Sequence, residues 1–205
     1  MKILEIGQEK LTFKAHSDSV TAIAFTPDGK TVISGSRDNT IKAWDLKTGE
    51  VEFILEGHSS WVTEIAITPD GKTVISSSWD SNTIKTWDLE TGQEKFTLLG
   101  HSHWVRAIAV TPDGKTAISG SGDNAIKTWD LETGQEKLTL SGHSDWVNTV
   151  TITPDGKTVI SGSDDKTIKT WDLKTEKEKF TFKGHNCFIN AIAVTPDGQT
   201  LASCF

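Results

Sequence analysis

The chain alternates between short apolar segments and turn sequences from one end to the other. In residues 104–140, the apolar segments are WVRAIAVT, TAISGS, IKTWDL and EKLTL, and the turns between them are PDGK, GDNA and ETGQ. Pro-Asp-Gly suits a tight hairpin, because proline presets φ and glycine accepts a positive φ. No segment of useful length has a helical period. The pattern therefore predicts an all-β fold built from four-stranded antiparallel meanders.

The same unit recurs along the chain at a nearly constant interval. The sequences GHSSWV, GHSHWV and GHSDWV begin at Gly57, Gly100 and Gly142, and weaker copies begin at Ala15 and Gly184. The histidines of the five copies are separated by 42, 43, 42 and 42 residues. Inner strands such as TVISGS are apolar at most positions, as expected for a sheet covered on both faces. Stacking the units around an axis buries both faces, which predicts a β-propeller.

A Gly-His pair followed by a Trp-Asp pair within each unit resembles the WD40 repeat family. The resemblance covers essentially the whole chain, and the motif is specific because it recurs in register. It implies a β-propeller whose usual role is to scaffold protein complexes without catalysis.

WD40 blades commonly carry a hydrogen-bonded tetrad of histidine, serine or threonine, aspartate and tryptophan. The resemblance implies four such tetrads here, with a His-to-Asp interval of 22 in each: His16, Ser34, Asp38 and Trp44; His58, Ser76, Asp80 and Trp87; His101, Ser119, Asp123 and Trp129; His143, Ser161, Asp165 and Trp171. A later serine on the same strand stays open as the serine partner. The tetrad would satisfy buried polar groups with one another, as burial requires.

Serine, histidine and aspartate also form hydrolase triads, but such a triad occurs once, beside a unique pocket with oxyanion donors. This set recurs at one spacing, which favours a structural role. Zinc binding is disfavoured, because the repeated histidines would lie far apart on a ring. Cys187 and Cys204 lack a metal-like CxxC spacing, and we interpret them as unreactive thiols. We therefore predict no catalytic residue, no metal and no cofactor.

Both ends of the sequence align with parts of the repeat. MKILEI aligns with IKTWDL and GQEKLTF with GQEKLTL, while FINAIAVT and QTLASCF match a first and a second strand. The sequence thus predicts a single propeller over residues 1–205, with full blades at 15–56, 57–99, 100–141 and 142–183. A fifth blade would be closed from residues 1–14 and 186–205. Closure would remove exposed sheet edges.

The fifth blade is the poorest copy, because it lacks a turn aspartate and has Leu4 where the other blades have the tetrad tryptophan. We expect it to open first. A monomer is the favoured state, and a strand-swapped or shared-ring oligomer is the alternative. The near identity of the units also indicates an array that was recently amplified, truncated or engineered.

In the WD40 pattern, the loop before the first strand and the turn after the second strand share one face, the top face. The residues at these positions include aromatic and arginine side chains, which are over-represented in binding hot spots. The candidate interaction residues are Trp61, Trp79, Trp104, Trp146, Phe188, Arg37, Arg106, Asn148 and Asn190. The repeated tryptophans could instead pack between blades. Trp79 occurs once, so generic packing explains it less well.

Composition narrows the class of protein. The chain has 205 residues, of which 35% are hydrophobic and 24% charged, so it does not resemble a disordered sequence. Its net charge of −7 disfavours nucleic acid as a partner. No apolar stretch approaches the ~20 residues of a membrane span, and the first apolar segment is too short for a signal peptide. We expect a soluble, cytoplasmic protein that does not bind membranes.

The favoured function is a non-catalytic scaffold that binds an unidentified peptide or protein on the top face around the central channel. One alternative is a structural or engineered array with no specific ligand. Another is a lectin-like propeller, since tryptophan can stack on sugar rings.

Overall fold

The computed structural model describes residues 2–5, 8–14, 16–79 and 82–204, and it describes side chains from residue 12 onward. Every regular element in these residues is a β-strand, which confirms the all-β prediction. Four antiparallel sheets have four strands each, joined in chain order, and we call them blades 1 to 4. None of the described residues belongs to a helix that could span a lipid bilayer.

The strand bounds repeat from blade to blade. Blade 1 contains β3 (Val20–Phe25), β4 (Thr31–Ser36), β5 (Ile41–Asp45) and β6 (Val51–Leu55). Blade 2 contains β7 (Val62–Ile67), β8 (Thr73–Ser78), β9 (Ile84–Asp88) and β10 (Glu94–Leu98). Blade 3 contains β11 (Val105–Val110), β12 (Thr116–Ser121), β13 (Ala125–Asp130) and β14 (Glu136–Ser141). Blade 4 contains β15 (Val147–Ile152), β16 (Thr158–Ser163), β17 (Ile168–Asp172) and β18 (Lys177–Phe182).

The Thr-Pro-Asp-Gly turn joins the first and second strands of each blade. In blade 3, the Thr111 hydroxyl donates to Asp113 Oδ1 at 2.6 Å, and the Gly114 amide donates to the Thr111 carbonyl at 2.8 Å. Gly114 has a φ of 71°, which favours glycine because a side chain is strained there. The same threonine–aspartate bond closes the other four copies of the turn.

The core lies between blades. Ile33, Ile41 and Leu55 of blade 1 form one buried cluster with Val62 and Trp87 of blade 2. Equivalent clusters join blade 2 to blade 3 and blade 3 to blade 4. Burial of a large apolar side chain contributes about 1.5–3 kcal/mol, so the contacts between blades supply much of the stability.

Two further hairpins dock on the outer blades. The first pairs β1 (Lys2–Glu5) with β2 (Gln8–Thr12), and Phe13 just beyond it is buried with its ring 4.8 Å from the Trp44 ring of blade 1. The second pairs β19 (Ala191–Val194) with β20 (Leu201–Cys204). Ile189, which precedes it, is buried in a cluster with Ile160 and Ile168 of blade 4.

The fifth blade is not formed by the described strands, because β1–β2 and β19–β20 are separate two-stranded sheets. Apolar side chains remain exposed on the faces that a fifth blade would cover. Phe180 and Phe182 of blade 4 are 63% and 49% exposed, whereas Leu140, the counterpart of Phe182 in blade 3, is buried. Ile23 and Phe25 on blade 1 are also exposed. Closure by the terminal strands and the count of five blades stay predictions.

A glycine in the second strand permits the close approach of blades 3 and 4. A Cβ built on Gly120 would lie 2.7 Å from Val147 Cγ1 and 2.9 Å from Val150 Cγ1. We expect Gly120→Ala to lower the free energy of unfolding by about 1–3 kcal/mol, because the valines must shift to admit the methyl group. Urea unfolding would measure the change.

Blade 2 provides the matched control, because Ser77 occupies the position of this glycine and the chain already has a Cβ there. Ser77→Ala should change the stability by less than about 1.5 kcal/mol, the value of one hydrogen bond. Equal stability of Gly120→Ala and the unmodified protein would contradict the packing argument.

Candidate functional site

A chain of hydrogen bonds links the loops of each blade to its strands, and blade 3 shows the geometry. Trp129 Nε1 donates to Ser119 Oγ at 2.8 Å, and Ser119 Oγ lies 2.7 Å from His101 Nε2. His101 Nδ1 lies 2.8 Å from Asp123 Oδ2. A carboxylate only accepts, so Nδ1 carries the proton in the contact with Asp123. Asp123 also accepts from the Ser102 amide at 2.9 Å, which anchors the Gly-His loop.

The same arrangement recurs in blades 1 and 4. His16 contacts Asp38 and Ser34 at 2.8 Å each, and Trp44 donates to Ser34 at 2.8 Å. In blade 4, His143 contacts Asp165 and Ser161 at 2.7 Å each. Trp171 donates to Ser161 at 2.9 Å. The serine in contact is the earlier one on the strand. The later one, such as Ser121, bonds to the backbone of the loop instead.

Blade 2 is described only in part. His58 Nε2 lies 2.7 Å from Ser76 Oγ, and Trp87 Nε1 donates to the same oxygen at 2.8 Å. Asp80, the predicted partner of His58 Nδ1, lies outside the described residues. Within the described part of the chain, His58 Nδ1 is buried without a partner, and burial lowers the pKa of His58 to about 4.

Electrostatics assign the protonation states of these tetrads. Burial raises the pKa of Asp123, but hydrogen bonds from His101 and the Ser102 amide outweigh it and lower the pKa to about 2. Burial also lowers the pKa of His143, by more than the hydrogen bond from Asp165 raises it. At neutral pH, Asp123 is therefore ionised and His143 is neutral. The tetrad serines are fully buried, so they cannot reach a substrate as nucleophiles.

The tryptophans of the top face form a continuous line across three blades, which we call the aromatic row: Trp61, Trp79, Trp104 and Trp146. Successive ring centroids are 6.2, 4.4 and 5.9 Å apart. Backbone bonds hold the two loops of each blade together: the Trp79 amide donates to the Trp61 carbonyl at 2.9 Å. The row is therefore built on fixed loops.

Exposure differs along the row. Trp61 and Trp79 are 41% and 43% exposed, whereas Trp104 and Trp146 are half-buried. Phe188 is exposed, and no ring contact joins it to the row in the described residues. The repeated tryptophans therefore differ in environment: one is exposed, and two are partly buried against other rings of the row.

His103 belongs to this site and was not among the sequence candidates. The centroid of its ring lies 4.9 Å from the ring centroid of Trp104 and 5.4 Å from that of Trp146. A Cβ on Gly122 would lie 2.4 Å from His103 Nδ1, so the histidine fits only because glycine faces it. The available signal was that histidine occurs once at this repeat position, where the other copies have Asp18, Ser60, Asp145 and Cys187.

Two cations stack on the ends of the row. Arg37 lies 4.6 Å from the ring centroid of Trp61, and Arg106 lies 5.1 Å from that of Trp146. These are the two arginines of the chain. A guanidinium over a tryptophan ring is attracted by the ring quadrupole and keeps its in-plane N–H groups available.

Two asparagines complete the predicted set. Asn148 is buried, and its Nδ2 donates to Asp164 Oδ1 and to the Ile189 carbonyl. Asn190 is exposed, and it lines a cavity of about 180 Å³ together with Asn148, Trp79, Trp104 and Arg106. No group of three or more metal-binding side chains occurs in the residues that the structure covers.

Comparison with models of protein families shows which family the chain belongs to. The model for "WD domain, G-beta repeat" matches residues 7–45, 49–88, 92–130, 134–172 and 176–205. The chain belongs to the WD40 repeat family. The resemblance inferred from the Gly-His and Trp-Asp pairs is thus confirmed, and the five WD40 repeats account for nearly the whole sequence.

Similarity to individual WD40 proteins extends over about one repeat. The chain is 45% identical over 42 residues to the target of rapamycin complex subunit wat1 of Schizosaccharomyces pombe, and 51% identical over 41 residues to the nuclear distribution protein nudF of Aspergillus terreus. It is 44% identical over 41 residues to the transcriptional repressor rco-1 of Neurospora crassa. Each match covers 20% of this chain and 13%, 9% and 7% of the relatives, respectively.

The tetrad carboxylate should make stability depend on pH. We expect Asp123→Asn to lower the free energy of unfolding by about 1–3 kcal/mol at pH 7, because the amide loses the charge that strengthens its hydrogen bonds. A lowered folded-state pKa contributes stability above the unfolded value of 3.8, and this contribution is lost as pH falls toward about 2. Denaturant titrations across this range would therefore show the two proteins converging.

The exposed Glu132→Gln change, which also removes one carboxylate, serves as the control. Its stability should parallel that of the unmodified protein at every pH. A constant difference between Asp123→Asn and the unmodified protein from neutral to acidic pH would argue against an ionised tetrad aspartate.

Proposed function

We propose that this WD40 chain is a non-catalytic interaction scaffold whose aromatic row binds a peptide or protein segment. The observation that carries the proposal is the unbroken line of four tryptophans with an arginine stacked at each end. Tryptophan and arginine dominate binding hot spots, and contiguous exposed aromatics mark interaction surfaces.

The fixed geometry of the row supports binding rather than incidental exposure. The Trp79–Trp61 and Gly122–Trp104 backbone bonds, both 2.9 Å, hold the row on paired loops. The tetrads tie those loops to the second and third strands. A surface that is ordered before association loses less conformational entropy on binding, which increases affinity.

The relatives support the class of function. One of them is named as a subunit of a complex, and others are named as a nuclear distribution protein and a transcriptional repressor. The chain matches only 7–13% of the length of these proteins, so their partners are not assigned to it. The partner we propose is an unidentified peptide or protein, not nucleic acid or a membrane. The cytoplasmic location stays a prediction.

The alternatives receive less support from the geometry. Sugar binding needs a free ring face, but Trp104 lies 4.4 Å from Trp79 and Arg37 covers Trp61. A hydrolase needs an accessible nucleophile, and the tetrad serines are buried. An array without a ligand does not explain why the unique residues Trp79, in the row, and His103, beside it, interrupt the repeat at this site.

Peptide selection tests the proposal. A random peptide library would be selected against the protein, and the affinity of the selected peptides would be measured by fluorescence polarisation. We expect Trp79→Ala and Trp104→Ala each to weaken binding by about 2 kcal/mol, roughly 30-fold, as hot-spot tryptophans do. Circular dichroism would verify that both variants fold.

Ile54→Thr is the matched control, because it removes an exposed apolar side chain away from the row and installs the residue that blades 2, 3 and 4 have at that position. It should leave affinity unchanged. Undiminished binding by both tryptophan variants would refute the assignment to the row, and failure to select any peptide would favour an array without a ligand.

We also propose that the two terminal hairpins complete a fifth blade within one chain. Phe13 packs on Trp44 of blade 1 as the equivalent Leu55 packs on Trp87 of blade 2. Ile189 packs on blade 4 in the position that Val147 occupies on blade 3. Pairing of β20 with β1 would cover the exposed Phe182 and Ile23. This closure gives a five-bladed monomer.

A disulfide designed from the repeat register tests closure. In blade 3, Ser119 of the second strand pairs with Lys127 of the third strand. In the repeat alignment, Ser203 corresponds to Ser119 and Lys2 corresponds to Lys127, so closure would pair Ser203 with Lys2. With Cys187 and Cys204 changed to serine, the double variant Lys2→Cys/Ser203→Cys should oxidise to an intrachain disulfide. Light scattering should give a mass near 22.4 kDa.

Ile3→Cys/Ser203→Cys is the control. A one-residue offset directs the two side chains to opposite faces of the sheet, so this pair should not oxidise within the chain. A covalent dimer from the in-register pair would instead indicate a strand-swapped or shared ring, and a failure to cross-link would indicate an open blade.

A further inference from the structure

We propose that the cavity bounded by Trp79, Trp104, Arg106, Asn148 and Asn190 accepts one aspartate or glutamate side chain of the bound segment. We call it the Arg106 cavity. The inference rests on the proposed function, and it specifies the ligand chemistry at one point of the aromatic row.

The size of the Arg106 cavity limits its occupant. Its volume is about 180 Å³, whereas sites for drug-sized ligands enclose about 300–1,000 Å³. The cavity can therefore hold a single side chain while the rest of the segment lies outside it. Trp79 and Trp104 supply apolar ring atoms along the cavity, against which the methylene groups of such a side chain can pack.

The charge of the Arg106 cavity selects an anion. In the part of the chain that the structure describes, no carboxylate lines the cavity and none forms an ion pair with Arg106. The Arg106 Cζ atom lies 5.1 Å from the ring centroid of Trp146, and this cation–π contact restrains the guanidinium at the cavity. Guanidinium groups bind carboxylates through two parallel N–H···O bonds, and this restraint reduces the entropy lost in forming them.

A buried amide provides a second, independent indication of a ligand. Asn148 is only 9% exposed, yet its Oδ1 has no hydrogen-bond partner among the described residues. Its Nδ2 is already used by Asp164 and Ile189, so the unpaired oxygen is the remaining polar group. An unpaired buried acceptor is costly, and a backbone N–H of the bound segment would satisfy it.

The cation count favours a carboxylate over a phosphorylated residue. Arg106 is the one cation that lines the cavity in the described residues. A phosphate carries about −1.5 to −2 charges at neutral pH and is usually met by clusters of cations. A single guanidinium matches the single charge of aspartate or glutamate.

The test uses capped peptides, Ac-Gly-Glu-Gly-NH₂ and its glutamine counterpart, with the full chain. Binding would be followed by the indole N–H resonances of Trp79 and Trp104 in ¹H–¹⁵N spectra. We expect saturable shifts with the glutamate peptide and binding of the glutamine peptide weaker by about tenfold or more, because glutamine lacks the charge that Arg106 pairs. Arg106→Asn should abolish this difference.

Asparagine is a safe replacement because Asn148 and Asn190 occupy the same repeat position in other copies. Lys115→Gln removes one positive charge from the exposed turn at the other end of the first strand of blade 3 and installs the residue of the last copy, Gln199, so it should preserve the preference for glutamate. If both variants lost the preference for glutamate to the same extent, net charge and not the Arg106 cavity would select the ligand. That result would overturn the proposal.

Two further peptides distinguish the source of the anion. The side-chain assignment would be overturned if Ac-Gly-pSer-Gly-NH₂ bound more tightly than the glutamate peptide. It would also be overturned if Ac-Gly-Gly-Gly with a free C-terminal carboxylate bound and the glutamate peptide did not. Equal binding of the glutamate and glutamine peptides would refute the Arg106 cavity while leaving the aromatic row intact. Loss of binding for every peptide, selected ones included, would refute the proposed function as well.

Discussion

Each four-stranded sheet has two apolar faces, and it can bury neither within itself. This constraint governs the molecule, because a blade is stable only when another blade covers it. Leu140 is buried where blade 4 covers blade 3, while Phe182 at the same position of blade 4 is half exposed. The glycines opposite Val62, Val147 and Ile189 serve the same constraint, since they let adjacent sheets approach closely.

The tetrads solve a second problem that the packing creates. A loop that crosses the edge of a buried sheet brings polar groups with it, and these must be paired. The Trp129–Ser119, Ser119–His101 and His101–Asp123 contacts pair them in one chain of hydrogen bonds. The hydrogen bonds also fix the loop that carries Trp104. The interactions that stabilise each blade therefore position the side chains proposed to bind a partner.

Two residues that occur once in the repeat, Trp79 and His103, lie where the blades meet at the top face. His103 is accommodated by Gly122, and Trp79 stacks on Trp104 of the next blade. Repetition supplies a uniform scaffold, and single substitutions at its rim create a local surface that the other copies lack. The proposed binding surface thus combines repeated tryptophans with residues that break the repeat.

The sequence by itself determined the strands and the turns, because these follow from alternation and from turn chemistry. The tetrad partners were implied by the resemblance to WD40 repeats, and the structure selected the serine among the candidates in each blade. The residues around the Arg106 cavity could be named from the register of the repeat, but their exposure could not. Whether Trp104 is half-buried, His103 contacts two rings, or Asn148 Oδ1 lacks a partner among the described residues depends on distances between blades. Only the tertiary structure decided these distances, because side-chain packing across separate sheets sets them.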